Sequence, residues 1–222
     1  MSEYGGPPID CGDFSDVEMV ELCHYLYLPV CMPFRLLAKI PRRLEPLREL
    51  VYAATDHEEG SGVSLDGHYV YLTARRGWAT DDNPLNRPGW HCDGFGTTDI
   101  NYVWWHGRGT RFAVQEFEGI SPDHQTSMEQ FEEQIDDKAV LTHLPERHLY
   151  RLDPFVVHAT PRYLRGEGEM RSFVKVSISP HRYNLLGNSH NYGFDYEWKM
   201  YDRSAVRNDP AYPEADFILE DS

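Results

Sequence analysis

The sequence is short of the features that would place it in a membrane, outside the cell or on a nucleic acid. A membrane-spanning helix needs roughly 18 or more consecutive apolar residues, and no such run occurs. The first residues, Met1-Ser2-Glu3-Tyr4-Gly5-Gly6, have neither the basic start nor the apolar centre of a secretory leader. Cysteine is scarce: Cys11, Cys23, Cys31 and Cys92 are the four, and none forms a Cys-x-x-Cys pair, which argues against a zinc site built on one. Without a leader, free thiols in a reducing, cytoplasmic compartment are the expectation. Basic residues are in deficit, 21 Lys and Arg against 36 Asp and Glu, for a net charge of −15. A like-charged body opposes binding to a phosphate backbone. Arg75-Arg76, and Arg108 with Arg111, are the candidates for a local basic groove. No internal repeat is present. At 222 residues the chain suits one domain, 1–222, with a sizeable core.

Hydrophobic periodicity divides that domain into three stretches. Residues 1–65 read as an arm followed by helices. Ser15-Asp16-Val17-Glu18 has the form of a capping box, and Met19, Leu22, Cys23 and Leu26 follow at helical spacing, with Pro29 and Pro33 to end the helix. A second helix is predicted over about 43–54, with Leu44, Leu47, Leu50, Val51 and Ala54 on one face and Pro46 in its first turn. Glu58-Glu59 and Glu132-Glu133 read as solvated faces. From residue 66 the period changes to that of strands, predicted at 68–73, 99–105, 111–117, 140–144, 149–152, 155–158 and 171–179. Ser127-x-x-Gln130 is placed to cap a short helix carrying Met128, Phe131 and Ile135. Residues 80–90, with Asp82-Asn83-Pro84 and Arg87-Pro88-Gly89, have loop chemistry. Helices first and many short strands after predict a mainly β core, 66–182, with an N-terminal helical layer. Residues 183–222 are a polar, partly aromatic extension placed to wrap the core or cover a site.

Against this background two segments stand out. The first is Gly89-Trp90-His91-Cys92-Asp93-Gly94. The second is Phe155-Val156-Val157-His158, followed 13 residues later by Arg171. A His-x-Asp pair alone occurs about once by chance at this composition, so its weight comes from context. On an extended segment His91 and Asp93 share a face and Cys92 points away. His158 ends an apolar run that reads as a buried strand. Two histidines and one carboxylate can occupy one face of an octahedral ion, a set that favours non-heme Fe(II) with open positions.

The ordered set His91, Asp93, His158 and Arg171 resembles the Fe(II)- and 2-oxoglutarate-dependent oxygenases. The resemblance covers roughly residues 66–182 and includes Val157-His158-Ala159-Thr160-Pro161 and Arg171-Ser172-Phe173-Val174-Lys175-Val176-Ser177. It implies a double-stranded β-helix (jelly-roll, cupin-like) core, with His91, Asp93 and His158 as metal ligands. It implies Fe(II), the cosubstrate 2-oxoglutarate and O2, with succinate and CO2 released. Arg171 is then the partner of the remote carboxylate of 2-oxoglutarate, because a guanidinium fork binds carboxylate in two places. Lys175 on the same strand face is the alternative, and Tyr71, sharing a face with Tyr69, is placed to line the cosubstrate site. Trp104 and Trp105 leave their strand on opposite faces, so one at most can line the pocket. Thr110 reads more simply as a turn residue than as a cosubstrate contact. The presence of Asp93 favours hydroxylation, or a related desaturation or demethylation, over halogenation. The expected substrate is a small polar or amino-acid-like molecule. Two alternatives stay open: a cupin-like metalloenzyme that does not use 2-oxoglutarate, and a non-catalytic interaction protein on the same scaffold.

Overall fold

The computed structural model describes residues 3–34, 37–94 and 96–203. The expected extension is therefore described as far as residue 203, and 204–222 lie outside the described residues. Among the described residues nine strands and two α-helices form. The strands are β1 (Ile9–Asp13), β2 (Cys23–Cys31), β3 (Tyr69–Thr80), β4 (Ile100–His106), β5 (Arg111–Ala113), β6 (Val140–Leu141), β7 (His148–Leu152), β8 (His158–Ala159) and β9 (Gly168–Ser179). The helices are α1 (Arg48–Gly60) and α2 (His124–Gln134). The protein is mainly β. A large sheet runs β1-β7-β4-β9-β3-β2 and a small one runs β6-β5-β8, and every pair within them is antiparallel. No helix among the described residues is long and apolar enough to cross a membrane.

The two long neighbours β3 and β9 pair without a break from Tyr69↔Ser179 to Thr80↔Gly168. Side chains alternate across the sheet, so β9 sends Val174, Val176 and Ile178 to one side and Arg171, Phe173, Lys175, Ser177 and Ser179 to the other. The first side is an apolar core that also takes Val70, Leu72 and Ala74 from β3 and Tyr102 and Trp104 from β4. Helix α1 covers it with Leu50, Val51 and Ala54, and the preceding 3-10 turn Arg42–Leu47 adds Leu44 and Leu47. These are the five residues that the periodicity places on one helical face. Pro46 lies in the 3-10 turn rather than in the α-helix, which spares the helix a missing N–H. The second side faces the small sheet, and Val103, Trp105, Phe112, Tyr150, Leu152, Val156 and Phe173 fill the space between.

The N-terminal helical layer is smaller than expected. The segment predicted as the first helix is instead β2, paired with β3 from Cys23↔Arg76 to Cys31↔Val70 with two irregular steps. Ser15 caps nothing: its backbone N–H donates to Asp13 Oδ1 at 2.9 Å, and its hydroxyl donates to the same carboxylate. The sequence 23–31 is rich in Tyr and carries Val, residues that suit a pleated, half-buried surface. A partner edge on β3 outweighs a local helical period. The arm is not wholly irregular either, since β1 pairs with β7. α2 is present but begins earlier than expected, at an Asp123 cap that accepts from Thr126 N at 2.8 Å.

Glu58 is a further correction. It is 1% exposed rather than solvated. It accepts from Arg151 Nε at 2.5 Å and from the Tyr102 hydroxyl at 2.6 Å, tying α1 to β7 and β4. The extension from 183 runs along β2. Ser189 N donates to Leu26 O at 2.7 Å, and Asn191 Nδ2 donates to Pro29 O and Lys39 O, both at 2.7 Å.

Candidate metal centre

His91 and His158 meet through their backbones before their side chains are considered. His91 N donates to His158 O at 3.0 Å and His158 N donates to His91 O at 2.9 Å. This reciprocal pair is an isolated antiparallel bridge that adds His91 as one more rung beyond β8. Residues directly opposite in such a pair project side chains to the same face, and the two imidazole centroids lie 4.6 Å apart. Alternation then turns Trp90 and Cys92 into the apolar cluster with Ala113, Phe117, Phe131 and Val157, and turns Asp93 back toward the histidines. The ligand atoms of His91, Asp93 and His158 all lie within 4.8 Å of one another. His158 Nε2 is 3.5 Å from Asp93 Oδ2.

Each imidazole is oriented by a carbonyl two residues upstream. His91 Nδ1 bonds to Gly89 O at 2.9 Å, and His158 Nδ1 bonds to Val156 O at 3.1 Å. A carbonyl can only accept, so each Nδ1 carries a hydrogen, and in a neutral ring that leaves the lone pair on Nε2. This is how proteins set the tautomer of a metal-binding histidine. Gly89 has φ +86°, a left-handed conformation open to glycine at no steric cost. Burial, with His158 beside it, pushes His91 down to about 3, so its ring is neutral. Burial works against ionisation of Asp93, but Lys175 and then the two imidazoles outweigh it and hold the carboxyl well below its usual range. A neutral imidazole and a carboxylate are the forms that ligate a cation.

The centre opens into a cavity of about 220 Å³. Lys175 lines it and ion-pairs with Asp93 Oδ2 at 2.9 Å. Lys175 Nζ also donates to the Tyr27 hydroxyl at 3.1 Å and lies 4.9 Å from that ring's centroid. Arg171 lies on the same face of β9 and is fully buried, but it does not line the cavity. Its Nε donates to Arg108 O at 2.8 Å, while Nη1 and Nη2 are buried with no hydrogen-bond partner among the described residues. Burial lowers its pKa to about 10, which still leaves it charged at neutral pH. Tyr71 stands apart from the cavity. It is fully buried, donates from its hydroxyl to His181 O at 2.9 Å, accepts there from Tyr183 N at 2.9 Å, and stacks on Tyr183. Those contacts occupy the Tyr71 hydroxyl in anchoring the chain after β9. Trp104 packs in the apolar core and Trp105 against Tyr150, so neither lines the cavity, whereas Thr110 does.

Tyr27 lines the cavity although it carried no signal of a site in the sequence. Tyr27 has φ +46°, uncommon for a bulky side chain. Its backbone N donates to Thr73 Oγ1 at 3.0 Å at an irregular step of the β2–β3 ladder, and this step directs the ring toward Lys175. Arg75, Asn86, Arg87, Phe173 and Arg203 also line the cavity. Arg75 and Arg76 do not act as a pair. They leave β3 on opposite faces, and Arg76 Nη1 donates to Ser172 Oγ at 2.8 Å. Arg108 is ion-paired with Glu167 at 2.9 Å, and Arg111 lies over the Trp90 ring at 4.8 Å.

No protein-family model and no curated protein matches the chain. Solved structures do show a distant likeness. IDO from Bacillus thuringiensis is 14% identical over 65% of this chain and 61% of that one, with a TM-score of 0.38. EvdO2 from Micromonospora carbonacea var. aurantiaca, complexed with 2-oxoglutarate, is 12% identical over 63% of this chain and 66% of that one, with a TM-score of 0.34. An oxidoreductase of the 2OG-Fe(II) oxygenase family from Burkholderia pseudomallei is 13% identical over 79% and 73%, with a TM-score of 0.39. The chain thus spans less than two thirds of the length of the first two. At these scores the likeness assigns no activity, and the functional reading has to stand on the site.

Proposed function

We propose that the protein is an Fe(II)- and 2-oxoglutarate-dependent oxygenase that hydroxylates a C–H bond of a small polar or amino-acid-like molecule. The observation that carries this reading is the convergence of His91, Asp93 and His158, with both Nε2 atoms freed for ligation by carbonyls that hold Nδ1–H. Neutral nitrogens and one carboxylate are the donor set of a non-heme Fe(II) facial triad. The double-stranded β-helix belongs to the same proposal, in which the small sheet carries His158 and the large sheet carries the cation that anchors the cosubstrate.

When bound, iron with 2-oxoglutarate and O2 supplies oxidative decarboxylation to succinate and CO2 and delivers one oxygen atom to a C–H bond. The protein's part is to hold and to exclude. His91, Asp93 and His158 hold the ion. Arg171 fits the remote carboxylate of 2-oxoglutarate, because a buried fork with two unpartnered nitrogens lacks what a carboxylate provides. Lys175 fits it less well. Its ammonium is already satisfied by Asp93 and Tyr27, and an anion held there would sit against the metal ligands rather than away from them. Lys175 instead keeps Asp93 ionised and oriented. Phe173 and Val103 supply apolar walls that limit water in the cavity.

The test is succinate formation by protein purified anaerobically, given Fe(II), 2-oxoglutarate and ascorbate, and then O2. Turnover that Arg171→Ala loses, and that His91→Ala with Asp93→Ala abolishes, supports the proposal. Metal binding with succinate formation indifferent to both changes sinks it, and moves the reading to a cupin-like metalloenzyme that needs no 2-oxoglutarate. Absence of Fe(II) or Mn(II) binding moves it to a non-catalytic interaction protein.

A further inference from the structure

The chain is strongly acidic, yet the walls of this cavity are not. Its lining includes four cations, Arg75, Arg87, Lys175 and Arg203, and a single acid, Asp93. Lys175 and Asp93 neutralise each other at 2.9 Å. Three guanidinium groups remain, and among the described residues none of the three has a carboxylate within ion-pairing distance. In a protein with 36 acidic residues, a cavity that gathers arginines and leaves them without acids is not explained by bulk composition.

Arg75 is the fixed member of the three. It leaves β3 beside Phe173 of β9, one alternation step from the Thr73–Lys175 pair. One nitrogen, Nη1, donates to Leu85 O, which ties it to the 80–90 loop. Leu85 has φ +68°, so the loop adopts an uncommon conformation at the residue that makes this bond. Nε of Arg75 is buried with no hydrogen-bond partner among the described residues. Asn86, the next residue of the loop, also lines the cavity. Arg203 approaches from the extension that runs along β2, held by a hydrogen bond to Asn188 Oδ1. Both arginines line the cavity; burial disfavours the charge on Arg75, Tyr27 offsets part of that, and Arg203 adds to it. Two like charges brought together at a half-buried position cost free energy, and an anion between them relieves it.

Arg75 and Arg171 are diagonal neighbours on one face of the β3–β9 pair, and Arg75 adds to the burial that disfavours charge on Arg171, but their anchors differ. Arg171 is tied to the β4–β5 turn through Arg108 O. Arg75 is tied to the 80–90 loop and lines the cavity together with Arg203, as Arg171 does not. If Arg171 takes the cosubstrate, the Arg75 flank is left for the molecule that is oxidised.

We propose that the substrate is an oxyanion, carrying a carboxylate or a phosphate that docks between Arg75 and Arg203 with Arg87 at the rim. This rests on the oxygenase reading for the word substrate, but the anion site itself does not depend on metal or turnover. The experiment therefore reads binding directly. Guanidinium Nε–H resonances of full-length protein labelled with 15N-arginine are followed while inorganic phosphate, and separately acetate, is titrated in. The titrations are repeated with Zn(II) and saturating 2-oxoglutarate.

The expected result is a saturable shift of the Arg75 resonance with at least one probe, the same in the presence of 2-oxoglutarate. Its apparent affinity is expected to fall at least fivefold in Arg203→Gln. The probe that saturates at the lower concentration identifies the anion as phosphate or carboxylate. Arg203 is exposed, so that variant tests the site without disturbing the core, and Arg75→Lys keeps the charge while removing the fork. No saturable shift with either probe overturns the proposal. So does an affinity unchanged in both variants, or displacement of the anion by 2-oxoglutarate, which would give Arg75 to the cosubstrate. Failure of the succinate assay with a positive titration would remove the oxygenase reading and leave the anion site standing.

Discussion

Both faces of β9 are buried, and they are chemically opposite. On one face Val174, Val176 and Ile178 lie in the apolar core under α1. On the other, Arg171, Lys175, Ser177 and Ser179 are each no more than 6% exposed. At the border of the apolar core Glu58 accepts from both Arg151 and Tyr102 on one carboxylate oxygen, and the donor left without a partner among the described residues there is the neutral Trp104 Nε1. On the site face the unmade bonds belong to charged groups, two nitrogens of Arg171 and one of Arg75 having no partner among the described residues. Leaving a buried donor unmade costs about 1–3 kcal/mol, more when it is charged. Packing gives no reason to retain that cost, whereas a ligand that completes the bonds does. Degree of burial therefore separates core from site poorly here, whereas incompletely bonded guanidinium groups mark the site face.

The strongest way to break this contrast is to remove the centre. His91→Ala with Asp93→Ala is expected to lower Mn(II) or Fe(II) affinity by at least about a hundredfold, more than loss of a supporting contact usually costs. Mn(II) paramagnetic resonance reads it directly, and binding within tenfold of the parent would contradict the triad. Next comes Arg171→Leu, where function and stability should move in opposite directions. The KM for 2-oxoglutarate should rise at least tenfold. The ligand-free protein should gain on the order of 1 kcal/mol, roughly 2–4 °C in Tm, because an incompletely bonded buried charge is replaced by an apolar group. A lower Tm with an unchanged KM would make Arg171 a structural residue like Arg151.

Glu58→Ala should do the reverse, costing about 2–3 kcal/mol while leaving metal affinity unchanged. That is below the usual cost of breaking a buried pair because Arg151 keeps one fifth of its side-chain surface in water. The same pair has a pH signature. Burial raises the Glu58 pKa, but Arg151 and Tyr102 outweigh it and the net direction is down from 4.5. A carboxylate whose folded value is depressed contributes stability that is fully present above its unfolded value and lost as pH falls through the folded one. Thermal melts of Glu58→Gln should therefore show a shallower acid limb below about pH 4.5 than the parent. An identical slope would mean that other carboxylates carry it. The smallest effect expected is that of Tyr27→Phe, which deletes only the hydroxyl on Lys175. It should cost about 0.5–1.5 kcal/mol and leave the metal centre in place.

Where the site was legible in the sequence, the signal was local. The two-residue spacing of His91 and Asp93 puts both on one face whenever the segment is extended, and the apolar run before His158 buries it. The face of α1 was legible for the same reason, since Leu44, Leu47, Leu50, Val51 and Ala54 recur at a period that the backbone imposes. The misreadings occurred where a distant partner overruled a local pattern. Residues 15–28 have a capping box and a helical period, yet β3 offers an edge and 23–31 becomes β2. Glu58 lies beside another glutamate and reads as solvated until Arg151 and Tyr102 are brought to it from β7 and β4. Tyr71 shares a strand face with Tyr69, as the alternation requires, but its hydroxyl is taken by the chain after β9.

By itself the sequence determined the types and order of the candidate donors and the alternation that separates His91 and Asp93 from Cys92, because these follow from covalent spacing and strand geometry. It also determined the acidic balance and the absence of long apolar runs. Only the tertiary structure decided that His91 and His158 exchange backbone hydrogen bonds, that Lys175 faces Asp93, that Tyr27 turns toward Lys175, and that Arg203 lines the same cavity as Arg75. Each of these joins residues far apart in the chain. Such contacts form only when the ladder register and the packing of the two sheets are complete, and no local preference of the residues involved carries that information.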